Sequence, residues 1–175
     1  MPSKTFKIKT TGKTGVFIDA ANIELSAKDI GFKIDYKKLL AFLKKQTSLN
    51  YIGFYTVRFN NKKHDAFLTF LKKTGYDLVT KPIKVIKKPT KQLGDIRKAN
   101  FDVEITVEVM KRIKKLNTMI LFSGDSDFEY LVKELRKKRK IVIVVSFKHH
   151  ISKELINSAN YYFDLKKIRN IIERK

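Results

Sequence analysis

Met119-Ile120-Leu121-Phe122-Ser123-Gly124-Asp125-Ser126-Asp127-Phe128 is an apolar run that stops abruptly in a small, acidic turn. After the turn, Phe128, Leu131, Val132 and Leu135 recur at helical spacing. An apolar run bounded by turn residues and followed by a helix-period stripe reads as a buried strand feeding a helix. Asp125 and Asp127 are thereby placed where a parallel strand ends and a helix starts, the edge of an open α/β sheet at which ligands bind. Two carboxylates this close repel each other unless a cation or a proton lies between them.

The same pattern repeats along the chain. Gly15-Val16-Phe17-Ile18-Asp19 reads as a first strand closed by an acid, with Ala20 to Ile23 as the turn after it. Asp35 can cap a helix whose inner face is Leu39, Leu40 and Leu43. Tyr51 to Phe59 is a second strand by its aromatic and β-branched content. Asn60 or Asn61 can cap the next helix, which carries Phe67, Leu68 and Leu71 inward and ends at Gly75. Tyr76 to Ile86 reads as a third strand, with Pro82 marking an edge or a bulge. A long basic loop, Lys87 to Lys98, precedes a helix from Phe101 to Leu116 that presents Val103, Val107 and Met110 on one side. The helix after the acidic turn runs to about Lys138, and Ile141 to Ser146 is continuously apolar, as expected of a strand covered on both faces. A short helix from Ser152 to Ala159, a sixth strand at Tyr161-Tyr162-Phe163 and a basic C-terminal helix complete the chain.

Strands alternating with helices predict a three-layer α/β/α sandwich around a mainly parallel, Rossmann-like sheet. Right-handed crossovers put every strand-to-helix turn on one edge. If the strand order switches between the first strand and Thr118 to Phe122, Asp19 and Asn22 come near Asp125 and Asp127. The expected organisation is a basic N-terminal arm over 1–14, one domain over 15–164 and a basic C-terminal helix over 165–175.

The chain has 175 residues, enough for one domain with its own core. Lys and Arg number 39 against 17 Asp and Glu, a net charge of +22 that favours polyanions, nucleic acid before anionic membrane. There are no cysteines, which removes disulfides, thiolate zinc sites and cysteine nucleophiles and suits a cytoplasmic protein. No apolar stretch approaches the ~20 residues of a membrane span. Ile168, Ile171 and Ile172 on the basic C-terminal helix could face lipid, but docking on the domain or on a second copy is the simpler reading.

In so basic a chain, the acids at the ligand edge are the informative deviation. Asp19, Asp102, Asp125 and Asp127 form a set of hard oxygen donors with no His or Cys close in sequence, suited to Mg²⁺ or Mn²⁺ and not to zinc. Each acid taken singly reads as a helix cap or strand end, as does Ser126; taken jointly, they read as a metal site. Glu108 is an ion-pair partner for Arg112 and, below the aspartates, an outer ligand. Ser123 and Ser126 could hydrogen-bond a carboxylate or a phosphate. No Gly-x-Ser-x-Gly turn, Walker loop or Gly-x-Gly-x-x-Gly is present, so serine-hydrolase and nucleotide-cofactor chemistry have no scaffold here. A haloacid-dehalogenase-type phosphatase would need a second Asp at position 21, which is Ala21.

Phe17-Ile18-Asp19-Ala20-Ala21-Asn22, Lys98-Ala99-Asn100-Phe101-Asp102-Val103 and Ser123-Gly124-Asp125-Ser126-Asp127-Phe128, in that order, resemble the NYN-domain family, LabA-like branch, of the PIN-like nuclease superfamily. The resemblance runs from about Gly15 to Asp164. It implies a PIN-like sheet and a metal-dependent ribonuclease site built by Asp19, Asn22, Asp102, Asp125 and Asp127. Ala99 stands where the family often has Gly, and Glu108 where it often has Asp. The expected activity is metal-dependent hydrolysis of RNA, with single-stranded DNA as a second substrate class. Lys87, Lys88, Lys91, Arg97 and Lys98 would hold the phosphate backbone, and Tyr36, Tyr55 and Phe59 could stack on bases, although such aromatics are more often core. The alternative is a non-catalytic nucleic-acid-binding or scaffold module on the same fold. A homodimer is one assembly this fold allows.

Overall fold

The structure is a computed structural model that describes residues 7–82, 84–86, 96–98 and 100–174. Its centre is strand β1 (Lys13–Asp19), whose Val16, Phe17 and Ile18 are fully buried. β2 (Ser48–Arg58) and β3 (Asp77–Pro82) follow on one side of it. β6 (Thr118–Phe122), β7 (Ile141–Ser146) and β8 (Tyr161–Asp164) lie on the other. The sheet order is β3-β2-β1-β6-β7-β8 with every pair parallel. The order reverses between β1 and β6, which pair from Thr14↔Thr118 to Ile18↔Phe122, so their C-terminal ends lie side by side.

Alternation along the strands builds two cores. Val16, Ile18, Ile52, Phe54, Ile120 and Phe122 face one side. There they meet α1 (Ala20–Asp29), α2 (Tyr36–Gln46) and α3 (Lys62–Thr74). Phe17, Tyr51, Tyr55, Met119 and Leu121 face the other, under α4 (Asp102–Arg112), α5 (Glu129–Lys137) and α6 (Lys153–Ser158). Asp35 and Asn61 cap α2 and α3 with their side chains. Gly75 closes α3 at φ 114°, a backbone conformation in which a Cβ would be strained.

Four expectations need correction. The third strand does not run to Ile86. It stops at Pro82, which has no N–H to extend a ladder, and Lys84–Ile86 instead pairs antiparallel with Ile96–Lys98 as the hairpin β4–β5. The end of the supposed basic loop is therefore a strand; residues 87–95 lie outside the described part. On α4, Val103, Val107 and Met110 face solvent at 72%, 45% and 41% exposure. The buried stripe is Phe101, Ile105 and Val109. Both stripes satisfy helical spacing, and Phe101, seated against Tyr55 at a ring distance of 6.4 Å, sets the phase. Ala20 to Ile23 is not a connecting turn but the start of α1. Tyr36 and Tyr55 are core residues and Phe59 is partly buried, the more common reading for such aromatics.

The C-terminal segment is a 3-10 turn (Leu165–Ile168) followed by α7 (Arg169–Ile172). Ile168 and Ile172 are buried in the first core, and the Asp35 N–H donates to the Ile172 carbonyl at 2.8 Å. Each such side chain contributes about 1.5–3 kcal/mol by burial. The segment thus docks on the domain through Ile168 and Ile172, while Ile171 stays 43% exposed. No helix among the described residues is long and apolar enough to cross a membrane.

Candidate metal centre

Asp19 ends β1 and caps α1, its Oδ1 accepting from the Asn22 N–H at 3.3 Å. Asp19 thus ends the strand, as it reads when taken singly, and also caps the helix. Its Oδ2 accepts from the Ser123 hydroxyl at 3.2 Å, and that same Oγ accepts the Asp125 N–H at 3.2 Å. The Asn22 Oδ1 accepts from the Gly124 N–H at 2.8 Å. Side chains of one turn thereby tie down the backbone of the other, and Asn22 and Ser123 act as ties between turns.

Asp125 caps a 3-10 turn (Ser126–Phe128), its Oδ1 accepting the Asp127 N–H at 3.0 Å. Its Oδ2 remains for a ligand. Asp102 opens α4, where its N–H is held by the Asn100 Oδ1 at 2.8 Å. Asp102, Asp125 and Asp127 each bring one carboxylate oxygen into a group whose members lie within 4.8 Å of one another. Asp102 and Asp125 are half-buried and Asp127 is exposed, so the group opens to solvent. Asp19 lies behind it, 8% exposed. Ser126 sits exposed on the rim.

The electrostatics are those of a site short of positive charge. Burial pushes the Asp19 carboxyl from 3.8 up to about 6; the bonds from Asn22 and Ser123 oppose this, and the charges of Asp102 and Asp125 add to it. Burial also raises Asp102, against a hydrogen bond from the Asn100 side chain to its carboxyl; Asp125 and Asp127 raise it further and Lys81 pulls it down. Three oxygen donors from two segments, with a buried fourth behind them, form a hard-donor set that fits a divalent cation of the Mg²⁺ or Mn²⁺ type.

Two expected participants stand elsewhere. Glu108 is engaged by Arg112 at 2.8 Å and Lys111 at 3.7 Å, six residues and about 9 Å along α4 from Asp102. It is an ion-pair residue and not a ligand of this group. Arg97 and Lys98 fall on β5, whereas Lys87, Lys88 and Lys91 lie outside the described residues.

Lys81 went unread in the sequence. From the end of β3 its Nζ donates to the Asn100 carbonyl and to Glu104 Oε1, the latter at 2.9 Å, and sits 4.4 Å from the Phe101 ring centroid. It clamps the first turn of α4, and with it Asp102, against the end of β3. The available signal was a lysine one residue before Pro82, on the strand end nearest the ligand edge.

The chain matches the model of the NYN domain over residues 13–166. It is 28% identical over 164 residues to the low amplitude and bright protein LabA of Synechococcus elongatus, covering 93% of this chain and 88% of that protein. A crystal structure of a Vibrio parahaemolyticus protein of unknown function shares the fold, with a TM-score of 0.78 at 20% identity, over 97% of this chain and 100% of that one. The acid group at the sheet's switch point and the family match support a nuclease-type function. From residue 13 to residue 166, and over most of the length of LabA, this chain belongs to the NYN domain family.

Proposed function

We propose that the protein is a metal-dependent ribonuclease, with Asp102, Asp125 and Asp127 holding Mg²⁺ or Mn²⁺ and Asp19 supporting them from behind. The observation that carries this reading is the convergence of those carboxylates at the β1/β6 switch point in a chain of net charge +22. Capping accounts for Asp19 and Asp125 singly, but carboxylates gathered this closely repel one another unless something positive joins them. A divalent cation in that position supplies charge against a phosphate and lowers the pKa of nearby water. The protein's own part is placement. Ser123 and Asn22 hold the two turns in register, Lys81 fixes Asp102, and Arg97 and Lys98, a few residues before Asp102 in the chain, are the candidates to hold the phosphate backbone.

Cleavage of an end-labelled single-stranded RNA tests this. The wild-type protein is expected to cut RNA when Mg²⁺ or Mn²⁺ is added and to stop when the ion is chelated. Asp125→Asn should lower the rate by about 100-fold or more while RNA binding stays within about twofold. No cleavage with either ion, together with unchanged RNA binding by the variant, would leave a non-catalytic binding module.

A further inference from the structure

A second concave surface lies on the far flank of α1. Residues 22 and 24 are two apart on a helix, about 200° around its axis, so they look to opposite sides. Asn22 faces β6, where it holds Gly124. Glu24 faces α2, where its Oε1 accepts the Tyr36 hydroxyl at 3.0 Å. Beneath Glu24 opens a hollow of about 350 Å³, floored by Ala27, Phe32, Ile34, Tyr36 and Phe67. A neighbouring hollow of about 450 Å³ shares Ile34, Tyr36, Phe67 and Arg174 with it and adds Phe70, 43% exposed. Lys28, Lys33, Lys37 and Arg174 line the two hollows. Of the two carboxylates present, Asp35 is taken up in capping α2. In the first hollow Glu24 is the one carboxylate, its Oε1 shared with the Tyr36 hydroxyl; Asp35 lines only the second.

An apolar, aromatic floor takes a flat ring, and a cationic rim takes an anion. A nucleotide is both. The lone carboxylate narrows the choice. Guanine presents two adjacent donors, the ring N–H and the exocyclic amine, which a carboxylate receives together. Adenine and cytosine each set their amine beside a ring nitrogen acceptor, and uracil sets its one N–H between two carbonyls, so both arrangements turn a lone pair toward the carboxylate. We propose that this groove is a guanine-nucleotide subsite, which holds a base of the RNA strand on the opposite flank of α1 from the metal centre, with Glu24 reading the base edge and Phe67, Phe70 and Arg174 holding its faces and phosphate. Glu24 is exposed as a residue, yet desolvation raises its carboxyl, against the bond from Tyr36 and the nearby His64. The proposal extends the ribonuclease reading to a base preference, and its binding test needs no cleavage.

The test is an NMR titration of the Asp125→Asn protein in metal-free buffer with GMP, AMP, CMP, UMP and inorganic phosphate, following the Phe67 and Phe70 ring signals. GMP should bind about 10-fold tighter than the other three nucleotides. Glu24→Gln should erase that preference. Phe70→Ala, at an exposed position, should weaken all four by about 10-fold. Thermal melts of both variants confirm that they fold. Equal binding of the four nucleotides, phosphate binding as tight as GMP, no nucleotide binding at all, or a GMP preference that survives Glu24→Gln would each overturn the subsite. Any of these results could coexist with metal-dependent RNA cleavage by the wild-type protein, so the subsite and the nuclease reading can fail separately.

Discussion

Asp19→Asn is expected to make the metal-free protein more stable at neutral pH while weakening its activity. The Asp19 carboxyl titrates near 6 in the folded chain against 3.8 for an ordinary aspartate, chiefly because it is buried. Between those values the folded state holds a proton that the unfolded state has already released. Stability from this group is therefore fully present below pH 4 and is lost as the pH rises through 6. The displacement corresponds to about 3 kcal/mol of charge burial at neutral pH. Asparagine keeps the acceptor for the Asn22 N–H and removes the charge. At pH 7.5 without divalent ions the variant should gain about 1–3 kcal/mol, several degrees in melting temperature, and its stability should no longer fall between pH 4 and 6. RNA cleavage and metal affinity should drop about 10–100-fold, the usual loss when a group supporting the ligands is changed. A variant less stable than wild type across the whole pH range would show that the carboxylate does not carry this cost.

Gly124→Ala is expected to destabilise the fold about as much as a large core truncation while leaving every acid in place. An alanine Cβ there would stand 2.0 Å from the His150 carbonyl oxygen, 2.9 Å from its carbon and 3.0 Å from Ser146 Oγ. The obstacle is backbone and not a yielding side-chain tip. The glycine cannot step aside either, because its N–H is held by Asn22 and its carbonyl accepts the Ser152 N–H at 3.1 Å. Overpacking of this kind costs about 3 kcal/mol or more, and the acid turn must shift to relieve it. Urea unfolding should show that loss together with reduced Mn²⁺ affinity. Gly31→Ala is the control. Its φ of 60° strains a side chain, but nothing lies within 4 Å of the added carbon, so the cost should stay near 1 kcal/mol and the metal site should be unaffected.

The parts of this molecule legible in its sequence were those set by local pattern. The apolar run before Ser123 read as a buried strand and is one, and Asp35 and one of the pair Asn60 and Asn61 were cap candidates, of which Asp35 and Asn61 cap. Helical spacing left the phase of α4 open, because Val103-Val107-Met110 and Phe101-Ile105-Val109 obey it equally. Strand order is likewise invisible to periodicity. The approach of Asp19 to Ser123 depends on β1 lying beside β6, a contact across 104 residues. Lys81 escaped for the same reason. Its partners Asn100 and Glu104 are 19 and 23 residues away, beyond a hairpin that the sequence presented as the end of one strand and a loop. The candidate acids themselves were readable because a cluster of carboxylates is conspicuous in a chain this basic, whereas Ser123 and Asn22 show their bridging roles only once the two turns meet.

Calorimetric titration of Mn²⁺ into the purified protein at neutral pH bears most directly on whether these carboxylates form one centre. Saturable binding is expected, weakened at least 10-fold by Asp102→Asn and by Asp125→Asn alike, although those residues sit on different elements of the chain. No saturable binding, or binding that both variants retain at wild-type affinity, would contradict it.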